Sequence, residues 1–451
     1  MSSPNEQVRV RIAPSPTGLF HIGTARTALF NFLFAKKHSG VFIVRIEDTD
    51  KERSRKEYEE SILEGLSWLN IKHEEFYRQS ERTEIYRKYL EKLIASGSAY
   101  VSKEEAGEGK RSEVIRFKNP NHSITFDDLI RGPITFHTEE LGDFVIAKDM
   151  ETPLYHLAVT IDDHEMKITH VIRGEDHISN TPRQILLLEA IGATIPTYAH
   201  LPLILAPDKS KLSKRHGAVA LTEYRENGFL PEAIINFLAL LGWSPQSRGE
   251  DEEVLNFDEL VEKFELEKVG KSGAIFDLKK LEWLNKQYIK KVPEEKLISM
   301  IKNEISSHNI FIADEKKLLR AIPLISEKIS TIKEAGTVWL EELSFLSKNP
   351  EYDVAKLVWK EETTAKTREN LSKILEILNS VESADFSAER IKELIFPFAD
   401  EVGRGGVLWP MRFSLTGQDK SPDPFMSAYF LGKEESILRI SKAIKLLEKN
   451  E

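Results

Sequence analysis

The chain has 451 residues, of which 41% are hydrophobic and 30% charged, and its formal net charge is −10. This length allows more than one domain, and the net charge gives no sign of a strong overall attraction to nucleic acid or anionic membranes. An acidic protein can still bind RNA through a local basic strip, so the charge is weak evidence against RNA binding. The lack of cysteine excludes disulfides, thiolate nucleophiles and cysteine-ligated zinc, and no apolar run could span a bilayer, so we expect a cytoplasmic protein.

The N-terminal segment combines an alternating strand, a stiff loop and an apolar helix. Residues 8–12 (VRVRI) alternate apolar and basic side chains, as in a half-exposed strand, and Thr24 is a candidate cap for the following helix. A buried strand at 41–46 (VFIVRI) completes a β-α-β unit of a parallel sheet. Ligands of such sheets bind beyond the carboxyl ends of the strands, where APSPTGLFHIGTART (residues 13–27) and Glu47 fall. The loop glycines and the helix start predict a phosphate-binding site.

The middle of the chain is less regular. Residues 53–97 are predicted to be helical, whereas 100–152 have the pattern of short strands inserted into the α/β domain. Two further strands are expected at 154–161 and 167–173, with a hairpin turn at 162–164 between them.

The last part of the chain is mainly helical. Helices are predicted at 182–191 and 231–241, and the segment 242–253, rich in Pro, Ser, Gly and acidic residues, is typical of a linker. Amphipathic helices follow to the end of the chain, interrupted by loops at 403–406 and 417–424.

A basic loop, PDKSKLSKRHG (residues 207–217), is the second chemical signal. On its own such a loop is more often solvated surface, but its lysines, serines and glycine also suit the grip on a triphosphate. The acidic and histidine residues between 162 and 177 match no common metal-ligand spacing, so no protein-bound metal is expected. We interpret these acidic and histidine residues as a hairpin turn and as side chains that support a nearby binding pocket.

Four motifs follow one another along the chain: PSPTGLFHIGT (14–24), RIEDTD (45–50), VIRGEDH (171–177) and KLSKR (211–215). Together they resemble the class I aminoacyl-tRNA synthetases and, among these, the bacterial glutamyl-tRNA synthetases. HIGT stands where the class carries HIGH, and KLSKR where it carries KMSKS. The resemblance extends to WPMRFSLTG (409–417), which is similar to the anticodon-binding region of that family.

The resemblance implies an ATP site at the two signature motifs. Its residues would be His21, Gly23, Thr24, Lys211 and Lys214, with His21, Thr24 and both lysines stabilising the reacting phosphates. No side chain acts as a nucleophile, since the substrate carboxylate attacks ATP, so orientation and charge stabilisation supply the rate. Mg²⁺, held mainly by ATP and water, is expected, and the cysteine-free insertion implies no zinc.

The resemblance also implies the amino-acid and tRNA sites. Glutamate would be bound by Arg11, Ser15, Glu47, Tyr155 and Arg173, and the anticodon by Arg404, Trp409 and Arg412. A guanidinium grips a carboxylate in two places, which the amide of glutamine cannot match. Arg173 could alternatively form a structural ion pair with Glu175 or Asp176, and Trp409 could be a core residue. Val159 departs from the family, which commonly has Asn there.

The implied architecture is a Rossmann-like parallel-sheet catalytic domain with an α+β insertion, followed by an all-α C-terminal anticodon-binding region. We expect these segments: 1–99, first half of the catalytic domain; 100–152, acceptor-end-binding insertion; 153–245, second half with KLSKR; 246–320, stem-contact helices; 321–451, anticodon-binding domain.

The expected function is that of a ligase of protein biosynthesis. It would activate L-glutamate with ATP, once tRNA is bound, and transfer the glutamyl group to the terminal adenosine of tRNA(Glu), with tRNA(Gln) as a second candidate, and act as a monomer. The alternatives are a tRNA-modifying glutamyl transferase, a small-molecule adenylyltransferase, a glutaminyl enzyme and an inactive tRNA-binding relative. The first two would lack the helical C-terminal region.

Overall fold

The computed structural model describes residues 7–103, 113–212, 220–245, 253–310, 312, 314–351 and 353–450. The chain forms two compact units, the first ending at Tyr288 and the second beginning at Ile289. Every helix in the described ranges is too short or too polar to cross a lipid bilayer.

The first unit contains an α/β core and an inserted set of strands. Its strands are β1 (Arg9–Ile12), β2 (Val41–Ile46), β3 (Glu75–Arg78), β4 (Ala99–Lys103), β5 (Glu113–Phe117), β6 (Ser123–Asp128), β7 (Gly132–His137), β8 (Phe144–Asp149), β9 (Thr152–Pro153), β10 (His170–Gly174), β11 (Thr197–Leu201), β12 (Ile204–Leu205) and β13 (Ala274–Ile275). Its helices are α1 (Ile22–Lys37), α2 (Lys56–Trp68), α3 (Thr83–Ala95), α4 (Tyr155–Glu165), α5 (Thr181–Ile191), α6 (Leu221–Glu226), α7 (Pro231–Leu240), α8 (Phe257–Lys263) and α9 (Leu278–Ile289), the last of which reaches the second unit.

The predicted β-α-β unit is confirmed, because β1 and β2 pair in parallel and α1 connects them. β3 extends this sheet on the far side of β2. Thr169, directly before β10, donates a backbone hydrogen bond to Arg9 at 2.9 Å, which joins β10 to the edge of β1. Asn31 of α1 donates to the carbonyl of Ile172 at 3.0 Å, so the helix is also fixed to β10.

The insertion forms short strands, as predicted, and they divide between two sheets. β4, β5, β8 and β9 form an antiparallel sheet of their own, whereas the β6–β7 hairpin joins the sheet of β10 and β11. The inserted segment therefore supplies strands to the sheet that carries β10, in addition to its own sheet.

Three local predictions for the first unit were wrong. Residues 154–161 are not a strand with a hairpin turn after it, because α4 runs from Tyr155 to Glu165. A short apolar run buried on several sides does not distinguish strand from helix. The segment 53–97 is not helical throughout, since β3 lies within it and is held by pairing with β2. The first helix is capped by His21 and not by Thr24, because α1 already begins at Ile22.

The second unit is helical, as predicted. Its helices are α10 (Glu294–Ser307), α11 (Glu315–Lys328), α12 (Glu334–Val338), α13 (Val354–Leu357), α14 (Thr364–Ser380), α15 (Ala388–Val402), α16 (Arg404–Thr416), α17 (Pro424–Leu431) and α18 (Lys433–Glu448). The loop predicted at 403–406 is reduced to Gly403, whose φ of 118° separates α15 from α16. The second predicted loop does end α16, since Gly417 adopts the left-handed conformation after it.

A buried carboxylate, Asp162 of α4, holds several elements of the first unit together. It is fully buried and accepts hydrogen bonds from Arg82 at 2.7 Å, Tyr86 at 2.8 Å and Gln79 at 2.9 Å. Arg45 of β2 lies 3.7 Å from the same carboxylate. One charge thus connects α4 to β2, to α3 and to the turn between β3 and α3.

Asp162→Asn should destabilise the protein by about 3–5 kcal/mol, because it leaves the part-buried guanidinium of Arg82 without its counter-charge and removes one of the three carboxylates around the buried guanidinium of Arg45. The amide also presents a donor where only donors surround it. Denaturant unfolding followed by circular dichroism measures the effect. Asp50→Asn is the matched control, since Asp50 pairs with Arg53 on the surface, and its midpoint should match that of the wild type. Equal stability of the two variants would contradict the assignment.

Candidate functional site

A cleft of about 420 Å³ opens beyond the carboxyl ends of β1, β2 and β10. This is the edge at which the sequence places ligand binding. The cleft is lined by nine of the residues expected to form the catalytic site: Arg11, Ser15, His21, Gly23, Thr24, Glu47, Tyr155, Arg173 and Lys211. Lys214 lies outside the described residues. Residues from Arg11 to Lys211, 200 positions apart in the chain, are therefore gathered around one cavity.

The HIGT segment forms the start of α1. The imidazole Nδ1 of His21 accepts the backbone amide of Thr24 at 3.3 Å, and the Thr24 hydroxyl lies 3.0 Å from Nε2. The imidazole is exposed to the cleft, yet the surrounding protein lowers its pKa, and the cation of Lys211 lowers it further. A side chain at Gly23 would approach the imidazole to 3.1 Å. A neutral histidine, a hydroxyl and helix-start amides therefore face the cavity, an arrangement suited to phosphate oxygens.

The residues before and after the part of the basic loop that is not described are held by short β-bridges, and the second of these bridges reaches the HIGT segment. Lys211 forms a β-bridge with Leu205, and Ala220 forms one with His21. Leu221 also donates its backbone amide to the carbonyl of Phe20 at 2.8 Å. The ammonium group of Lys211 is largely exposed and lies 4.0 Å from Asp176, a contact too weak to hold it. It is therefore free to pair with a stronger anion.

Arg11 is already paired with a carboxylate. Its guanidinium donates to both oxygens of Asp163, at 3.0 and 3.2 Å, and both side chains are buried. Asp163 also accepts from Arg45 at 2.7 Å, and Arg45 donates to Glu47 at 3.0 Å. Burial disfavours the charge on Arg45, but the carboxylates around it raise its pKa above the ordinary value. A continuous chain of charges thus runs beneath the cleft.

Among these linked charged side chains, Glu47 is the carboxylate that lines the cavity. Burial raises its pKa to about 7, and Arg45 and Arg11 offset only part of that effect. Since Arg45 makes its shortest contact with Asp163, Glu47 has to share this cation. Glu47 therefore changes charge near neutral pH and gains from a further cation, such as an ammonium group, placed beside it.

Arg173 has a different environment. Its three nitrogens donate to His200 at 3.2 Å, to Gln184 at 2.8 Å and to Thr181 at 2.8 Å, all neutral acceptors. Among the described residues, Arg173 does not form the alternative ion pair with Glu175 or Asp176: Glu175 pairs with Arg131, and Asp176 lies 4.0 Å from Lys211. Burial lowers the pKa of Arg173. The pocket therefore holds a fixed, buried cation that favours an anionic ligand.

The remaining walls include residues that sequence patterns did not identify. Arg26 of α1 lines the cleft, is buried, and donates to the carbonyls of Pro202 and Leu241. Its position on an apolar helix carried no chemical signal.

Tyr155 lies 3.2 Å from His177, and burial raises the pKa of Tyr155. Val159, at the position where the resembled family commonly has Asn, is buried and contributes an apolar surface to the cleft.

The three expected tRNA-contact residues, Arg404, Trp409 and Arg412, lie on α16 of the second unit. Arg412 lies over the ring of Trp409 at 4.8 Å, and Trp359 packs beside the same ring at 5.4 Å. Trp359 was not predicted, and it contacts Gly405, where a side chain would collide with the indole. Trp409 is partly exposed, so it is not a fully buried core residue. Partly exposed aromatic rings beside a guanidinium form a surface suited to unstacked bases.

No group of three or more His, Asp or Glu side chains in the described ranges is arranged to hold a metal ion. Asp163 and Glu47, two carboxylates at the cleft, are engaged by arginines instead: Asp163 by Arg11 and Arg45, and Glu47 by Arg45.

Comparisons with known proteins agree with this geometry. Residues 7–112 and 102–283 match the catalytic domain of class I tRNA synthetases (E and Q), and residues 279–444 match an anticodon binding domain. A glutamate–tRNA ligase of Carboxydothermus hydrogenoformans is 42% identical and covers 96% of this chain and 99% of its own length. One of Caldicellulosiruptor saccharolyticus is 40% identical, covering 96% and 98%.

A solved structure gives the same result. The crystal structure of a glutamate tRNA ligase from Elizabethkingia meningosepticum CCUG26117, in complex with its amino acid, has a TM-score of 0.85 and 36% identity, covering 98% of this chain and all of that one. The predicted fold class and resemblance are thereby confirmed. The chain belongs to the glutamate–tRNA ligase family of the class I aminoacyl-tRNA synthetases.

Proposed function

We propose that the protein joins L-glutamate to tRNA(Glu) in an ATP-dependent reaction. The observation that supports this most directly is the cleft, in which a phosphate-binding helix start faces Arg173, a buried cation held by neutral acceptors. Such a cavity has room for a nucleotide beside a small anion. The relatives at 40–42% identity are glutamate–tRNA ligases over nearly their whole length.

In the first step an oxygen of the glutamate α-carboxylate attacks the α-phosphorus of ATP, and pyrophosphate leaves. His21 and Thr24 donate to the phosphate oxygens from the start of α1, while Lys211 and Lys214 stabilise the charge that builds on pyrophosphate. Gly23 leaves room for the nucleotide. Because the substrate supplies the nucleophile, the protein accelerates the step by orientation and charge stabilisation.

The amino acid lies between Arg11, Arg173 and Glu47. Arg173 and the remaining guanidinium nitrogen of Arg11 bind carboxylate oxygens, and ionised Glu47 pairs with the ammonium group. Ser15 and Tyr155 complete the pocket. Glutamine is rejected because its neutral side chain would leave the charge of Arg173 without a partner.

In the second step a hydroxyl of the terminal tRNA adenosine attacks the carbonyl of glutamyl-adenylate, and AMP leaves. We assign acceptor-end contacts to 100–152, stem contacts to 246–320 and anticodon binding to 321–451, with Arg404, Trp409 and Arg412 meeting the unstacked bases. The packing of Trp359 and Arg412 against the ring of Trp409 supports this assignment.

Four finer points complete the proposal. Mg²⁺ would enter with ATP and be held mainly by its phosphates and by water, where it would offset their charge. tRNA(Gln) is a second candidate substrate. We place the enzyme in the cytoplasm, as a monomer.

The alternatives account for less of the chain. An adenylyltransferase acting on small molecules, or a tRNA-modifying glutamyl transferase, would resemble only the catalytic half, whereas residues 279–444 match an anticodon binding domain. An inactive relative has no need of the cations that line this cleft.

The direct test is charging of purified tRNA(Glu) and tRNA(Gln), separately, with labelled glutamate and ATP. Charging of tRNA(Glu) alone indicates a discriminating enzyme, and charging of both indicates a relaxed one. Labelled glutamine should give no product with either tRNA. If neither tRNA accepts glutamate, the proposal is wrong.

Lys211→Ala should reduce the rate of adenylate formation about 10²–10³-fold, the effect typical of removing one charge-stabilising group from a transition state. ATP–pyrophosphate exchange in the presence of tRNA measures the step. Folding should be unaffected, because the lysine is exposed and its contact with Asp176 is long. Lys209→Ala, in the same loop but outside the cleft lining, should retain wild-type exchange. Equal rates for the two variants would exclude a role for Lys211.

The KM for glutamate should rise about 10-fold as the pH falls from 8 to 6, because Glu47, with a pKa of about 7, loses its charge over this range and with it the attraction for the ammonium group. Glu47→Gln should have a high KM at every pH and no such slope. Its stability at pH 8 should not fall, since burial disfavours the ionised carboxylate. Glu52→Gln, an exposed change, should keep the wild-type profile. A slope retained in Glu47→Gln would assign the titration to another group.

A further inference from the structure

Three buried side chains on neighbouring strands lie in a row that ends at the glutamate pocket. Asp128 of β6 accepts from the imidazole Nδ1 of His200, on β11, at 2.6 Å. The His200 Nε2 lies 3.2 Å from the Nε of Arg173, on β10. Asp128 is 3% exposed, His200 0% and Arg173 6%. Strand register explains the row, because Arg173 and His200 are direct partners in the β10–β11 pair.

The chemistry of the row allows one proton arrangement. The Nε–H of an arginine can only donate, so Nε2 of His200 must accept and the ring proton must be on Nδ1. Nδ1–H then donates to Asp128. Burial lowers the pKa of His200 and the nearby Arg173 lowers it further; together they outweigh the carboxylate of Asp128, which raises it, so the neutral ring is favoured. Burial raises the pKa of Asp128, but hydrogen bonds from His200 and from the amides of Arg131 and Ile130 bring it below its ordinary value.

The arrangement leaves the charge of Arg173 uncompensated but its orientation fixed. His200 takes the Nε–H, while Gln184 and Thr181 take one terminal nitrogen each, at 2.8 Å. A protonated imidazole would lose the hydrogen bond and place a second cation against the guanidinium. A neutral acceptor at this point therefore orients Arg173 without neutralising it, as an anion-binding group requires.

We propose that His200 and Asp128 are positioning residues for glutamate binding: Asp128 sets the tautomer of His200, and His200 aims the guanidinium of Arg173 at the substrate carboxylate. This inference rests on the proposed function. It also makes the β6–β7 hairpin of the insertion part of the amino-acid pocket, since Asp128 is the last residue of β6.

Two substitutions of His200 separate its two hydrogen bonds. The amide of Gln extends to the position of Nε2 and can still accept from Arg173, whereas the shorter Asn matches Nδ1 and reaches only Asp128. We expect His200→Asn to raise the KM for glutamate about 10- to 100-fold, the effect of losing a hydrogen bond to a charged group, with the KM for ATP within about 2-fold of the wild type. His200→Gln should have a KM for glutamate close to that of the wild type, because its amide can still accept the hydrogen bond from Arg173. Aminoacylation of tRNA(Glu) at varied glutamate and ATP gives these constants.

A spectroscopic measurement tests the row without relying on activity. ¹⁵N NMR of histidine-labelled wild-type protein should show His200 as the neutral Nδ1–H tautomer, assigned by loss of the signal in His200→Gln. Asp128→Asn should disturb this tautomer, because its amide can donate to Nδ1, and should raise the KM for glutamate as His200→Asn does.

The outcomes are distinct. Wild-type constants in a folded His200→Asn, with tRNA charging intact, overturn the positioning role and leave the proposed function standing. A wild type that does not charge tRNA(Glu) overturns the proposed function and this inference with it. Should His200→Asn fail to fold, the tautomer decides: a proton on Nε2 of the wild-type His200 overturns the proposal.

Discussion

The arrangement of side chains around the cleft depends on one interaction, the contact of the buried guanidinium of Arg45 with the three carboxylates that surround it. Arg45 is fully buried and bonds Asp163 at 2.7 Å and Glu47 at 3.0 Å, with Asp162 at 3.7 Å. Three carboxylates so close together would repel one another and lose their hydration, and an isolated buried charge of either sign would be costly. Since these carboxylates come from α4 and from the end of β2, Arg45 fixes the helix against the sheet at the place where the ligand enters.

This pairing gives the two pocket arginines unequal roles. Arg11 already shares Asp163 with Arg45, so its charge is largely balanced before any ligand arrives. Arg173 is held by His200, Gln184 and Thr181, which orient it without cancelling its charge. The net attraction for a carboxylate therefore comes mainly from Arg173, while Arg11 contributes a donor of fixed geometry. In the function that we propose, such a pocket would distinguish a charged side chain from a neutral one of the same shape, which is the distinction between glutamate and glutamine.

Much of this arrangement could be predicted from the sequence, because it is encoded locally. The strand, loop and helix around HIGT follow from alternation, prolines and glycines, and the resemblance identified nine residues that line the cleft. The failures are of another kind. The run of mainly apolar residues in α4 fits a helix that is buried on several sides as well as it fits a strand. β3 forms because β2 offers it an edge with which to pair. The pairing of Asp128 with His200 spans 72 residues and has no local pattern.

The same distinction explains why the inserted segment matters to the pocket. A hairpin attached only to its own sheet could vary without consequence for ligand binding, but β6 is bonded to β11, which is bonded to β10. Each strand contributes one member of the row Asp128, His200 and Arg173, so the direction of the guanidinium depends on the register of all three strands. A shift of one residue in β6 would turn Asp128 to the other face of the sheet. In the function that we propose, the selectivity of the cleft therefore depends on strand pairing as much as on the residues that would touch the ligand.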